Sequence, residues 1–116
     1  MMQMESGLIK QILIALSAQG HRAFRNNTGM GWAGQMQQWP DGSVLVRYAH
    51  PLSAGLCDGS SDIIGWTREG LFLAIEVKCG KTRITEAQRA FIDAVQAAGG
   101  KAGIARSVED ALRIVQ

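Results

Sequence analysis

The sequence predicts an α/β domain with a central mixed sheet flanked by helices, in the order helix, three strands, helix, strand, helix, with one extra hairpin. Three observations predict it. Apolar residues recur at helical spacing near both ends, an aliphatic run at 71–78 reads as a central strand, and turn chemistry separates shorter strand-forming runs. At 116 residues the chain fits one domain, 1–116. Hydrophobic residues make up 47% and charged residues 19%, which excludes a disordered chain. A net charge of +2 leaves a polyanionic partner open.

Leu8, Ile9, Ile12, Leu13 and Leu16 set a first helix over 5–19, ended by Gly20 in a left-handed cap. Glu5 precedes Ile9 and Ile12 by four and seven positions, so its carboxylate is expected on the buried side of the first turn. A helix N-terminus also favours an acid by its dipole alone. Residues 22–27 suit a short strand, and the glycine-rich 28–34 reads as a loop. Pro40, Asp41, Gly42 and Ser43 between MQQW (36–39) and VLVRY (44–48) predict a hairpin. Residues 49–61, rich in Ser, Gly and Pro, read as a loop.

A second hairpin is expected from residues 62–66, a turn at 67–70, and the strand 71–78. Thr85 and Gln88 form a capping-box pattern ahead of a helix whose stripe is Ala87, Ala90, Phe91, Ala94, Val95 and Ala98, stopped by Gly99 and Gly100. Lys101 to Ala105 reads as a strand. Ser107 is placed to cap a last helix with the stripe Val108, Ala111, Leu112 and Val115.

Cys57 and Cys79 lack metal-site or disulfide-framework spacing and are expected as reduced, buried thiols. No segment suits a signal peptide or a membrane span, so the expectation is a soluble, intracellular, cytoplasmic protein with no membrane partner.

The chemistry concentrates at the end of strand 71–78. Alternation puts Leu71, Leu73, Ile75 and Val77 on one face and Phe72, Ala74, Glu76 and Lys78 on the other. A hairpin turn centred near Glu69 sets Asp62 opposite Glu76, with Cβ atoms roughly 5 Å apart. Two carboxylates that close repel, and a divalent cation removes the conflict. Hard oxygen ligands favour Mg²⁺ or Mn²⁺ over Zn²⁺. Such an ion polarises a phosphate oxygen and lowers the pKa of a water, which suits phosphodiester hydrolysis. Lys78 is placed to hold the attacking water and offset growing charge, and Gln88 to orient that lysine or the water. For Glu76 and Lys78 alone, a surface ion pair is the commoner reading; Asp62 at the mirrored position shifts the balance.

These residues resemble the PD-(D/E)XK nuclease pattern, with Asp62 as the first acid and Glu76, Val77 and Lys78 as the (D/E)XK motif. The chain most resembles the stand-alone virus-type replication-repair nuclease (VRR-NUC) domain over nearly its whole length. The matching pieces are Glu5, the run 25–29, the run 59–62, the run 75–78, Gln88 with Phe91, Gly99 with Gly100, and the run 107–110. The resemblance implies Mg²⁺ or Mn²⁺ held by Asp62, Glu76 and the Val77 carbonyl, with Glu5 contributing directly or through water, and Lys78 and Gln88 completing the catalytic set. It implies cleavage of branched DNA, of the Holliday-junction type among others, and no organic cofactor. Pro often precedes the first acid in the family; here Ser61 stands there, and since Pro supplies backbone rigidity and no ligand, the departure bears on the loop geometry more than on the chemistry.

Arg22, Arg25, Asn26 and Asn27, with Lys81 and Arg83, are expected to flank the cleft as DNA contacts. Arg89 and Arg113 are expected on plain surface, Trp32 and Trp39 packed in the core or an interface in preference to stacking on bases, and His21 and His50 outside the site. The hairpin 36–48 lies beyond the minimal core and is a candidate homodimerisation element. Two rival readings remain. A DNA-binding module with a decayed site predicts no Mn²⁺ binding, and an RNA-directed nuclease on the same core is separated by offering both nucleic acids.

Overall fold

A computed structural model describes residues 5–116. Helix α1 (Glu5–Ala18) leads into β1 (Arg22–Arg25), β2 (Gly29–Gln38), β3 (Val44–Ala54), β4 (Ile63–Trp66) and β5 (Phe72–Val77); α2 (Glu86–Ala97), β6 (Lys101–Ala105) and α3 (Val108–Ile114) complete the chain. Four strands make a mixed sheet in the order β1-β4-β5-β6, antiparallel except for β5 against β6. Strands β2 and β3 form a separate two-stranded ribbon.

The two faces of β5 each find a helix layer, as their alternation requires. Leu73, Ile75 and Val77 pack with Leu8, Ile9, Ile12 and Leu16 of α1 and with Ala111 and Val115 at α3. Ala74 on the other face packs with Ile92 and Val95 of α2. Thr85 caps α2 by the expected capping box: its hydroxyl accepts from the Gln88 N–H at 3.1 Å, and the Gln88 side-chain oxygen accepts from the Thr85 N–H at 2.9 Å. Ser107 caps α3 without the reciprocal bond: its hydroxyl accepts from the Asp110 N–H at 3.1 Å, while the Asp110 carboxylate accepts from the Arg106 N–H. Gly20 ends α1 at φ +89°, where a side chain would be strained. Among the described residues no helix is long and apolar enough to cross a membrane.

The predicted α2 stripe needs correction. Ala87, Ala90, Ala94 and Ala98 are exposed, and Ile92, absent from that stripe, is the buried anchor. Alanine satisfies an apolar pattern on any face, so the larger Ile92 decides which side turns inward. Gln88, Ile92 and Val95 are spaced by four and three, which sets Gln88 on the sheet-facing side.

The ribbon is also longer than expected, because 29–34 and 49–54 are strand and not loop. Gly29 pairs with Ala54 and Gln38 with Val44, with an irregularity between Ala33 and Gln35. There Tyr48 takes φ +53°, and a Cβ on Gly34 would lie 2.5 Å from the Arg47 carbonyl oxygen, so only glycine fits that close approach. Pro51 is tolerated opposite Trp32 because both strands of a two-stranded ribbon are edges. The turn at 39–43 is as predicted, with Asp41 accepting from the Ser43 N–H at 2.9 Å and from its hydroxyl at 2.6 Å.

Trp32 (64% exposed) and Trp39 do not enter this chain's core, which corrects the core half of the packing expected for them. Cys57 is exposed and Cys79 half-buried, so the expected burial of both thiols does not hold.

Candidate metal-dependent active site

The ends of four elements converge at one edge of the sheet: the exit of β1, the entry of β4, the exit of β5 and the N-terminus of α2. The β4–β5 register pairs Ile63 with Ile75, so Asp62 comes opposite Glu76 one step further on, as the turn position predicts. The Asp62 carboxylate accepts from the Val77 N–H at 2.9 Å. Since N–H and C=O of one strand residue point to the same edge, the Val77 carbonyl faces that side too, past the last paired residue of β4.

Glu76 is 2% exposed, which rules out the surface ion pair. One carboxylate oxygen accepts from Gln88 Nε2 at 3.2 Å and lies 3.8 Å from the Lys78 ammonium, whose side chain is 14% exposed. The other oxygen, Oε2, is buried and, with the carboxylate ionised, finds no donor among the described residues. Burial pushes the Glu76 pKa up to about 8, helped by hydrogen bonding to Asp62 when protonated, by the Asp62 charge and by the more distant Glu5; Lys78 opposes the rise. A buried carboxylate so disfavoured as an anion, with an orphaned oxygen and a second acid beside it, is a fitting donor set for a hard divalent cation.

Glu5 needs qualification. It is exposed, not on the buried side of α1, and among the described residues no three Asp, Glu, His or Cys side chains gather closely enough to hold an ion together. Its charge reaches Glu76, but it is not drawn into the pair as a direct ligand. Gln88 differs as well: it contacts the Glu76 carboxylate, so it orients an acid, in place of the expected lysine or water.

The basic groups divide. Arg25, at the site end of β1, reaches Ser6 in the first turn of α1 at 3.4 Å, and Asn27, Lys81 and Arg83 are exposed near the same edge. Arg22 pairs with Trp66 at the far end of β1, about 10 Å of strand away, so it does not flank the cleft. Asn26 is buried with its amide bonded to Ser60, Ser61 and Leu56, which removes it as a DNA contact. Arg89 and Arg113 are exposed as expected, and His21 accepts from the Arg68 N–H at 3.1 Å, away from the site. An apolar groove of about 400 Å³ lined by Phe72, Phe91 and Val95 lies at the opposite end of the sheet, with no charge to meet a phosphate.

Arg106 was not singled out from the sequence. Its guanidinium donates to the Gly80 carbonyl at 2.8 Å and the Thr82 carbonyl at 2.6 Å, and so holds the loop that presents Lys81 and Arg83. A lone arginine after a short strand carries no signal of that fork.

Ser61, where the family pattern often has Pro, is fully buried and its hydroxyl has no hydrogen-bond partner among the described residues. An unsatisfied buried hydroxyl costs about 1–3 kcal/mol, more than the contacts of one oxygen atom return. Ser61→Ala is therefore expected to raise the melting temperature by a few degrees, which thermal denaturation measures; a lower value would mean the hydroxyl is bonded in solution.

No curated protein matches the chain. The model of the VRR-NUC domain matches residues 10–109, a span that contains Asp62, Glu76, Lys78 and Gln88. That family implies a nuclease acting on DNA, and with this extent of match the chain belongs to it.

Proposed function

We propose that the chain is a single PD-(D/E)XK-type nuclease domain that hydrolyses phosphodiester bonds in branched DNA with Mg²⁺ or Mn²⁺, working as a homodimer. The observation that carries the reading is two adjacent acids, Asp62 and the buried Glu76, whose mutual hydrogen bond requires a proton that a divalent cation would replace. Asp62, Glu76 and the Val77 carbonyl would hold the ion, with Glu5 acting through water. The ion supplies positive charge to a phosphate oxygen and acidity to a water.

The chain's own groups do the rest. Gln88 holds one oxygen of Glu76 in place, which leaves the other directed to the ion. Lys78, tethered by the same carboxylate, sets an ammonium beside the scissile phosphate and stabilises the charge that develops on it. Arg25, Asn27, Lys81 and Arg83 lie where the DNA backbone would approach and position it without reading sequence.

The homodimer rests on the ribbon. Met30, Trp32 and Met36 alternate onto one face of β2, opposite Ser53, Pro51 and Val46, and Tyr48 is 84% exposed nearby. A two-stranded ribbon is marginal alone in water, and an apolar face on it asks for cover. A two-fold arrangement would give paired cuts across a four-way junction.

The test is cleavage of a panel of four-way junctions, flaps, linear duplexes and RNA, with Mg²⁺, Mn²⁺ or EDTA and with Asp62→Asn as control. Metal-dependent cutting of branched DNA, lost in the variant, is expected. Cutting that persists in EDTA or in Asp62→Asn would overturn the reading, and binding without cutting would favour the inactive module.

A further inference from the structure

Asn26 stands where three segments meet. It is 9% exposed; its amide nitrogen donates to Ser60 Oγ at 2.7 Å and to the Ser61 carbonyl at 2.9 Å, and its amide oxygen accepts from the Leu56 N–H at 3.1 Å. Both side-chain N–H groups and the carbonyl are thus engaged. Its backbone N–H donates to the Asp62 carbonyl at 2.7 Å. One residue therefore ties the exit of β1, the chain just after β3 and the loop that carries Asp62.

That loop needs an external brace. Residues 55–62 are irregular, Gly55 and Gly59 adopt positive φ, and Ser61 lacks the rigidity that Pro would confer. Asp62 must nonetheless be held against Glu76, a like charge. A second contact closes the brace on the other side: a Cβ on Gly59 would lie 2.4 Å from the Ala87 carbonyl oxygen, so the loop lies directly on the first turn of α2, next to Gln88.

We infer that Asn26 is a positioning residue for the cation-holding carboxylates, fixing Asp62 at hydrogen-bond range of Val77 and beside Glu76 through Ser60 and Ser61. The inference rests on the proposed metal-dependent nuclease reading. It differs from a DNA contact, which would act on substrate affinity, and from a purely structural role, which would act on stability alone.

The test compares Asn26→Ala and the milder Ser60→Ala with the unaltered chain. Mn²⁺ affinity is measured by calorimetry, the KM for DNA and kcat across a Mn²⁺ series, and the melting temperature in EDTA. Asn26→Ala is expected to weaken Mn²⁺ binding by about 10- to 100-fold, and Ser60→Ala by a few-fold. Saturating Mn²⁺ should restore most of kcat, while the KM for DNA stays within about twofold. If Asn26→Ala does not fold, Ser60→Ala carries the comparison. Unchanged Mn²⁺ affinity in the folded variants, or a raised KM with normal Mn²⁺ affinity, would overturn this inference alone. No Mn²⁺ binding by the unaltered chain would overturn the nuclease reading and this inference with it.

Discussion

Glu76→Gln is expected to abolish divalent-cation binding and lower DNA cleavage by at least about 1,000-fold, and yet to raise the melting temperature of the metal-free protein at pH 9. The first part follows from removing a charged ligand from an ion that supplies several kcal/mol to the transition state. The second follows from the environment of Glu76. Its folded pKa stands near 8 against an ordinary 4.5, so the native state keeps a proton over a range where the unfolded chain has lost it. Stability of the metal-free fold therefore falls as pH rises from about 4.5 to about 8, because the unfolded chain gives up the Glu76 proton while the fold retains it. A neutral amide of the same shape escapes that cost and keeps the acceptor that Gln88 uses. Denaturation in EDTA at pH 5 and pH 9 checks it: the variant and the unaltered chain should nearly coincide at the lower pH and separate at the higher, with the variant more stable. A variant less stable at pH 9 would mean that Glu76 is compensated without an ion.

The second large effect is on metal affinity. An ion must displace the Glu76 proton, so apparent Mn²⁺ affinity is expected to rise about tenfold per pH unit from roughly pH 6 to pH 8 and then level off. From residue types alone the loss of affinity belongs near pH 4, where an ordinary carboxylate protonates. Burial and the adjacent Asp62 move that window up by several pH units. Cleavage at limiting Mn²⁺ should follow the same curve, and saturating Mn²⁺ should flatten it. A rate insensitive to pH between 6 and 8 at limiting metal would contradict the account.

How far the sequence reveals this site depends on which signals are local. The β4–β5 hairpin is legible because its turn sits between aliphatic runs, and once the turn is placed, period two puts Asp62 against Glu76. The caps at Thr85 and Ser107 are legible for the same reason: each needs only a few neighbouring residues. The ribbon is hidden because Gly29, Gly31 and Gly34 dilute the alternation of Met30, Trp32 and Met36, and because Pro51 argues against a strand unless that strand is known to be an edge. Asn26 and Arg106 act through hydrogen bonds to residues more than 20 positions away, and spacing along the chain cannot display such partners. Arg22 and Arg25 are near neighbours in sequence but stand at opposite ends of β1, a separation that depends on which end of the sheet carries the acids.

The most direct test of the paired-carboxylate claim is Mn²⁺ titration calorimetry in buffers of different ionisation enthalpy, which counts the protons released per ion. With Glu76 titrating near 8, nearly one proton should leave per ion at pH 7 and about a quarter of one at pH 8.5. Binding with no proton release at pH 7 would show that Glu76 is already ionised and that its pKa is not raised, and no binding at either pH would show that Asp62 and Glu76 do not share a cation.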